Sequence, residues 1–253
     1  MVVFCEGENT EPTYIRLLKT EKLIDGKKFD LKFPPIRHGF DDAKDFADTC
    51  TNAFNSFFKI EDMPNIDSIW LVFDDDEHKN LQTIFKLTPK SFCNGNKVFK
   101  GKVFFAFSSM CIEYWILLHF KDHNGDKIYQ QDRDKKNHSR ETINLINQAI
   151  DSYNKKHKVK LRMYNKKGKK KDKENENWII DNFEFLTSPN EDNKNENKQP
   201  RIVEAFQRAK MIHEAKPNGK QYSESVTTFY QLLEYLGVID YNEDKEPFLK
   251  QYK

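Results

Sequence analysis

The residue order predicts an α/β fold: a small parallel sheet flanked by helices, followed by a mainly helical, basic C-terminal part. Three observations predict it. Short apolar strands at Val2-Val3-Phe4-Cys5, Ile69-Trp70-Leu71-Val72-Phe73 and Val103-Phe104-Phe105-Ala106-Phe107 each run into a polar or acidic turn and then a helix-compatible segment. The middle one is apolar on both faces, the pattern of a parallel strand covered on both sides. From about residue 124 polar helical segments take over.

After the first strand, Glu6 to Pro12 reads as a turn into a helix, with Gly7 permitting a tight backbone, Asn9 or Thr10 as cap and Pro12 in the first turn. Tyr14, Leu17, Leu18 and Leu23 continue that helix. Phe29 to Arg37 alternates like a second strand that Pro34-Pro35 ends or marks as an edge. A helix beginning at Asp41-Asp42 carries Phe46, Cys50, Phe54, Phe57 and Phe58, a stripe that belongs to the core. Beyond the Ile69 strand, Leu81 to Leu87 reads as a short helix and Asn94-Gly95-Asn96 as a loop. The strand at Lys102 to Phe107 leads into an apolar helix, Ser108 to Phe120, with one acid, Glu113. The C-terminal helices are expected at about 138–156, 200–215 and 223–237, with a lysine-rich insertion at about 155–177 and an exposed loop at 188–199. The chain thus divides into an α/β part, 1–123, and a helical part, 124–253.

No apolar run reaches membrane-spanning length and the N-terminus lacks a secretory layout, so a soluble, cytoplasmic protein is expected. The four cysteines, at 5, 50, 93 and 111, have neither zinc-site nor disulfide-framework spacing and read as ordinary buried thiols. The net charge is only +2, so any nucleic-acid surface must come from local asymmetry, which the lysine run supplies. The first turn carries no dinucleotide-binding or P-loop glycine pattern.

The chemistry is concentrated where strands end. Asp74-Asp75-Asp76-Glu77-His78 follows the middle strand, and ligands of open α/β sheets sit at that carboxyl end. Alternate strand residues share a face, so Asp74 and Asp76 can address one hard cation such as Mg²⁺ (or Mn²⁺) while Asp75 points away. Turn or cap chemistry is the competing reading. Glu6, at the end of the first strand, belongs on the same rim in a parallel sheet and is the best-matched general acid or base. Glu8 and Glu11 are candidates for a second metal, Glu11 equally for a helix-dipole complement. Converging carboxylates repel unless cations sit among them, and two ions ~4 Å apart would serve a phosphodiester. Glu113, in an apolar helix, must face that site or a cation. His78 is a phosphate contact or proton donor, or else a hydrogen-bond partner of the acids, and His119 reads as structural. Ser108 and Ser109 would donate to phosphate or cap the helix, the cap being favoured.

Three blocks, Cys5-Glu6-Gly7-Glu8-Asn9-Thr10-Glu11-Pro12, Val72-Phe73-Asp74-Asp75-Asp76-Glu77-His78, and Ser108 with Cys111 to Phe120, resemble the signature blocks of the RloB-like family. That family is similar to the TOPRIM proteins of the OLD nuclease group and is associated with prokaryotic anti-phage defence. The resemblance covers residues 2–123 and thins beyond, to Ala205, Arg208-Ala209-Lys210, Thr227-Thr228-Phe229 and Leu232. It implies a TOPRIM fold in which Glu6 is the acid/base glutamate, Asp74 and Asp76 are metal ligands and Glu11 is a further acid. The chain departs from the pattern at Asp75, where the family often has a basic residue, and at Ser109-Met110, where Asn-Pro is usual. The lysine run reads as this chain's own insertion.

The expected activity is a Mg²⁺-dependent hydrolase cutting nucleic acid, RNA such as tRNA ahead of DNA. Lys166, Lys167, Lys169, Lys170 and Lys171, with Arg162, Tyr164 and Trp178 around them, would track the phosphate backbone. Control is expected from a partner protein, an activating ligand or self-association. The alternatives are a DNA nickase, a non-catalytic TOPRIM module that binds nucleic acid or a partner, and nucleotidyl transfer.

Overall fold

The computed structural model describes residues 1–37, 40, 43–75, 84–87, 89–94, 97–109, 111–123, 138–164, 172–191, 198–215 and 226–251. Three strands, β1 (Val2–Cys5), β2 (Ser68–Asp75) and β5 (Lys102–Ser109), form one parallel sheet in the order β1-β2-β5. Its register pairs Cys5 with Val72, Asp74 with Ser108 and Asp75 with Ser109, so all carboxyl ends lie along one edge. The helices are α1 (Thr10–Thr20), α2 (Ala43–Phe57), α3 (Glu113–Leu118), α4 (His138–His157), α5 (Asp172–Thr187), α6 (Arg201–Ala215) and α7 (Phe229–Tyr235). Two small antiparallel hairpins complete it, β3 (Cys93–Asn94) with β4 (Lys97–Val98), and β6 (Ile239–Tyr241) with β7 (Pro247–Leu249).

Aromatic side chains cover both sheet faces. On one, Phe73 stacks on Phe107 at 6.0 Å and meets Phe46 of α2 at 5.7 Å. On the other, Trp70 and Phe104 stack at 4.8 Å under Tyr235 of α7. Of the α2 stripe, Phe46, Cys50, Phe54 and Phe58 are buried, while Phe57 is 52% exposed. The hydrophobic core runs without interruption from Met1 to Ile239, drawing on both the sheet and the C-terminal helices.

Several expected elements change. The strand at Phe29 to Arg37 shrinks to one parallel bridge, Lys32 to Val2, because Pro34 and Pro35 have no N–H to continue a ladder. The helix expected from Ser108 begins only at Glu113. Val226 to Thr228 captures the end of β5 instead: the Thr228 N–H donates to the Phe107 carbonyl at 2.8 Å, and the Phe107 N–H donates to Thr228 Oγ1 at 2.9 Å. Asn94, expected in a loop, is in β3 paired with Lys97, while Gly95 and Asn96 lie outside the described residues; only residues 84–87 of the Leu81 to Leu87 helix fall among them.

The lysine-rich stretch is divided. α4 ends where Lys158 adopts φ 56°, the left-handed conformation that stops a helix. The chain then runs back along α4, held by two asparagines seven residues apart on one helix face. Asn154 exchanges both amide hydrogen bonds with the Leu161 backbone, at 2.7 and 2.9 Å, and Asn147 does the same with Tyr164, at 2.7 and 2.8 Å. α5, which begins inside the lysine-rich stretch and extends over residues 178–187, where no element was expected, packs against α1. Among the described residues no helix is long and apolar enough to cross a membrane.

α3 is the centre of the helical layer. All six of its residues are buried, as a helix apolar on every side must be, and α4 and α6 pack on it. His119, just past its end, is fully buried; its Nδ1 lies 3.0 Å from the Trp115 carbonyl and its Nε2 3.1 Å from the Tyr14 hydroxyl. Nδ1 must carry the proton, so Tyr14 donates to Nε2 and the ring is neutral. Burial pushes its pKa down to about 3. With a folded pKa below the unfolded one, the unfolded chain takes up the proton first as pH falls, so stability is retained above about pH 6.5 and lost towards pH 3. Between pH 7 and pH 5 this one group should cost about 2 kcal/mol. Urea unfolding at both pH values should show the loss in the natural chain and a smaller one in His119→Gln; equal losses would remove His119 from the acid response.

Candidate active site at the carboxyl edge of the sheet

Parallel strands deliver their C-terminal ends to one rim, and β1 and β2 both end in acids. The Glu6 N–H donates to the Val72 carbonyl at 2.8 Å, extending the ladder one residue beyond β1. Its carboxylate Oε2 accepts the Asp74 N–H at 2.9 Å. Two acids 68 positions apart are thereby held in direct contact, both half-buried.

Glu11, in the first turn of α1, reaches back to the turn that follows β1. It is 3% exposed, and its Oε2 stands 2.0 Å from where a Cβ on Gly7 would be. Any side chain at position 7 would displace that carboxylate. Gly7 thus serves a close approach of Glu11 to the strand end. The Cys5 thiol responds to the same arrangement, its pKa raised by burial and then by the negative charge of Glu11. Glu8, on the same turn, is exposed.

Glu113 opens α3 with no exposure and accepts a hydrogen bond from the Tyr164 hydroxyl at 3.2 Å. Burial first, then the charge and hydrogen bond of Glu113, then Cys111 and Glu11, hold the Tyr164 phenol well above its ordinary range. One neutral hydroxyl thus sits within the influence of two buried carboxylates, a donor where like charges would otherwise repel. Tyr164 was expected beside the lysine run as part of a nucleic-acid track, not as a partner of Glu113. Its signal in the sequence is indirect: Asn147 and Asn154, spaced to share a helix face, clip the segment that carries it.

Three expectations are corrected. Tyr164 and Trp178 do not line a nucleic-acid track: both are 1% exposed, with rings packed at 5.1 Å, and the Trp178 indole N–H donates to the Arg162 carbonyl at 2.5 Å. Arg162 itself is exposed. Ser108 caps no helix, because it still belongs to β5; its buried hydroxyl lies 2.8 Å from Thr227 Oγ1, and Ile112 occupies the cap position of α3. Cys93 is half-buried, unlike Cys5, Cys50 and Cys111.

Asp75 pairs with Ser109 in the sheet, whereas Asp76, Glu77, His78, Lys166, Lys167, Lys169, Lys170 and Lys171 lie outside the described residues. Among the described residues no three His, Cys, Asp or Glu side chains form a ready-made metal-holding group. Glu6, Glu11 and Asp74 each carry carboxylate oxygens, the chemistry a hard divalent cation takes, without being gathered into one such group.

A family model described as RloB-like protein matches residues 1–236, well past the sheet and through α7. Neither the curated proteins nor the solved structures yield a match.

Tyr164→Phe removes a donor from a fully buried carboxylate and should destabilise the fold by about 1–3 kcal/mol, read from urea unfolding. An unchanged midpoint would show that the Tyr164 hydroxyl contributes nothing to holding Glu113.

Proposed function

The chain belongs to the RloB-like family, and from that premise we propose that it is a metal-dependent nuclease of prokaryotic anti-phage defence, built on a TOPRIM core similar to the OLD group. The observation that carries the reading is the contact between the Glu6 carboxylate and the Asp74 N–H, which sets two strand-end acids side by side on the rim where open α/β sheets bind ligands.

In this reading Asp74 and Asp76, with Glu11, hold Mg²⁺ or Mn²⁺, and Glu6 is the acid/base group. Bound there, the cation would lower the pKa of a water nucleophile and neutralise charge on the phosphate. Glu6 is oriented for its part by the backbone N–H that fixes one of its oxygens. Glu113, the second carboxylate assigned to catalysis in this reading, stands behind with Tyr164 as a buried pair. His78 is a phosphate contact or proton donor. RNA, tRNA included, is favoured over DNA because the lysine run is a basic appendage suited to a compact folded substrate. Its flanks are anchored beside the acids, at Tyr164 on one side and Trp178 on the other. Self-association, a partner protein or an activating ligand would restrain the activity in a cytoplasmic setting.

The second reading is a non-catalytic module that uses its acids structurally. It is favoured by the internal hydrogen bonds that Glu6 and Glu113 already make.

Purified protein incubated with total tRNA, single-stranded RNA and supercoiled plasmid should cut at least one of them with Mg²⁺ or Mn²⁺ and none with EDTA. Glu6→Gln and Asp74→Asn should each lower the rate by about a hundredfold or more without changing the circular dichroism spectrum. Metal-independent binding with no cutting would establish the second reading. Plasmid nicking alone would move the substrate to DNA. Replacing Lys166, Lys167, Lys169, Lys170 and Lys171 by glutamine should weaken binding and flatten its dependence on salt, since each lost phosphate contact removes roughly 0.7–0.9 from the log–log slope. The same slope before and after would make the run a bystander.

A further inference from the structure

β5 is an edge strand of the parallel sheet, and its outer side is covered only at one end. In a strand the N–H and C=O of one residue point to the same side, and successive residues alternate. Phe107 turns both groups away from β2: its N–H donates to Thr228 Oγ1 and its carbonyl accepts the Thr228 N–H. The Lys102 N–H donates the other way, to the Asp67 carbonyl just before β2, at 3.2 Å. Val103 and Phe105 therefore face outward, as Phe107 does. The covering segment gives way to α7 directly after Thr228, and among the described residues nothing hydrogen-bonds to the outward groups of Val103 or Phe105.

These two residues line a cavity of about 580 Å³, within the size range of sites for small organic ligands. Its walls are apolar. Phe104 and Tyr235, with ring centres 5.1 Å apart, stand on one face of the strand, and Phe85 and Phe105, 5.3 Å apart and nearly perpendicular, on the other. On the α6 and α7 side, His213 and Glu234 are already engaged. His213 Nδ1 lies 2.8 Å from the Tyr230 hydroxyl, and Glu234 accepts from the Tyr241 hydroxyl at 2.6 Å. The strand edge therefore offers a ligand a row of alternating donors and acceptors between two apolar walls. Two outward residues are too few to seat another strand, since strands run to about five or six residues.

Such an edge is complementary to a planar ring that carries a donor beside an acceptor. Equivalent groups on a strand recur only every two residues, about 6.6–6.8 Å, so the Val103 carbonyl and the Phe105 N–H together meet two neighbouring groups of a ring but not three. Among nucleobases, adenine has two polar groups on its pairing edge, an amino donor and a ring-nitrogen acceptor. Guanine, cytosine and uracil have three, and the third would be left without a partner against an apolar wall. We propose that this cavity binds an adenine ring, its amino group donating to the Val103 carbonyl and its ring nitrogen accepting the Phe105 N–H. A free adenine nucleoside or nucleotide and an unstacked adenine of a strand share that chemistry. The assignment does not depend on the reading of the acidic edge, since it uses none of the same residues.

Calorimetric titration of the full chain with adenosine, tetra-adenylate, guanosine and uridine tests it, in EDTA so that no metal reaches the acidic edge. Saturable binding of adenosine or of tetra-adenylate is expected, the first assigning a free compound and the second alone an unstacked base of a strand. The 6-dimethylamino and 1-deaza forms of the bound probe lose the donor and the acceptor in turn, and each should bind about tenfold more weakly or worse. Gln231→Trp, which fills the cavity from α7, should abolish binding with the unfolding temperature unchanged. If that variant unfolds, Val103→Trp, at a half-buried position on the strand edge, should produce the same loss. Four outcomes would each overturn the proposal: no saturable binding of either adenine probe, an analogue binding as tightly as its parent, guanosine or uridine binding as tightly as the adenine probe, or full affinity in a folded tryptophan variant.

Discussion

The hydrogen bond from the Asp74 backbone to the Glu6 carboxylate is the contact on which the acidic edge depends. It follows from parallel register. Once Cys5 lies beside Val72, the next residue of the first strand must emerge at the level where the second strand turns acidic. Antiparallel pairing would have sent the two ends to opposite sides of the sheet. Gly7 then lets the Glu11 carboxylate fold back against the turn that follows the first strand. A backbone ladder and a missing side chain thus bring acids from two strand ends and the first helix to one side of the sheet.

The interior accommodates charge and polarity by giving each group a local answer. Glu113 has the Tyr164 hydroxyl; His119 is kept neutral between a tyrosine hydroxyl and a backbone carbonyl; Glu204 is shared by Asn190 and Arg208. Polar contacts also tie the two halves of the chain together. Tyr164 reaches the third block through Glu113, Thr227 and Thr228 cover the end of β5, and Arg208 donates to the Leu118 carbonyl at 2.6 Å. The helical part therefore completes the sheet and the centre of the core; it is more than an appendage carrying lysines.

Much of the edge was legible because local signals carry it. An apolar β-branched run ending in aspartates marks a buried strand and its carboxyl end, and a glycine between two glutamates marks a tight turn. The C-terminal helices at 138–157 and 201–215 were legible for a similar reason, their apolar residues recurring at helical period. What escaped was set by partners distant in sequence. Nothing near Ser108 announces that Thr227 will pair with it. Nothing near Tyr164 announces a buried glutamate 51 positions earlier. The short hairpins at Cys93 and Ile239 are too brief for their alternation to stand out.

By itself, then, the order of residues determined the kind of fold, the parallel strands and the acids that end them, since periodicity and turn chemistry act over a few residues. Only the tertiary structure decided where the second strand failed, where the central helix began, and which hydroxyl meets Glu113. Each of those rests on a hydrogen bond or a packing contact between groups far apart along the chain, and the closure of such contacts is a property of the whole packed core.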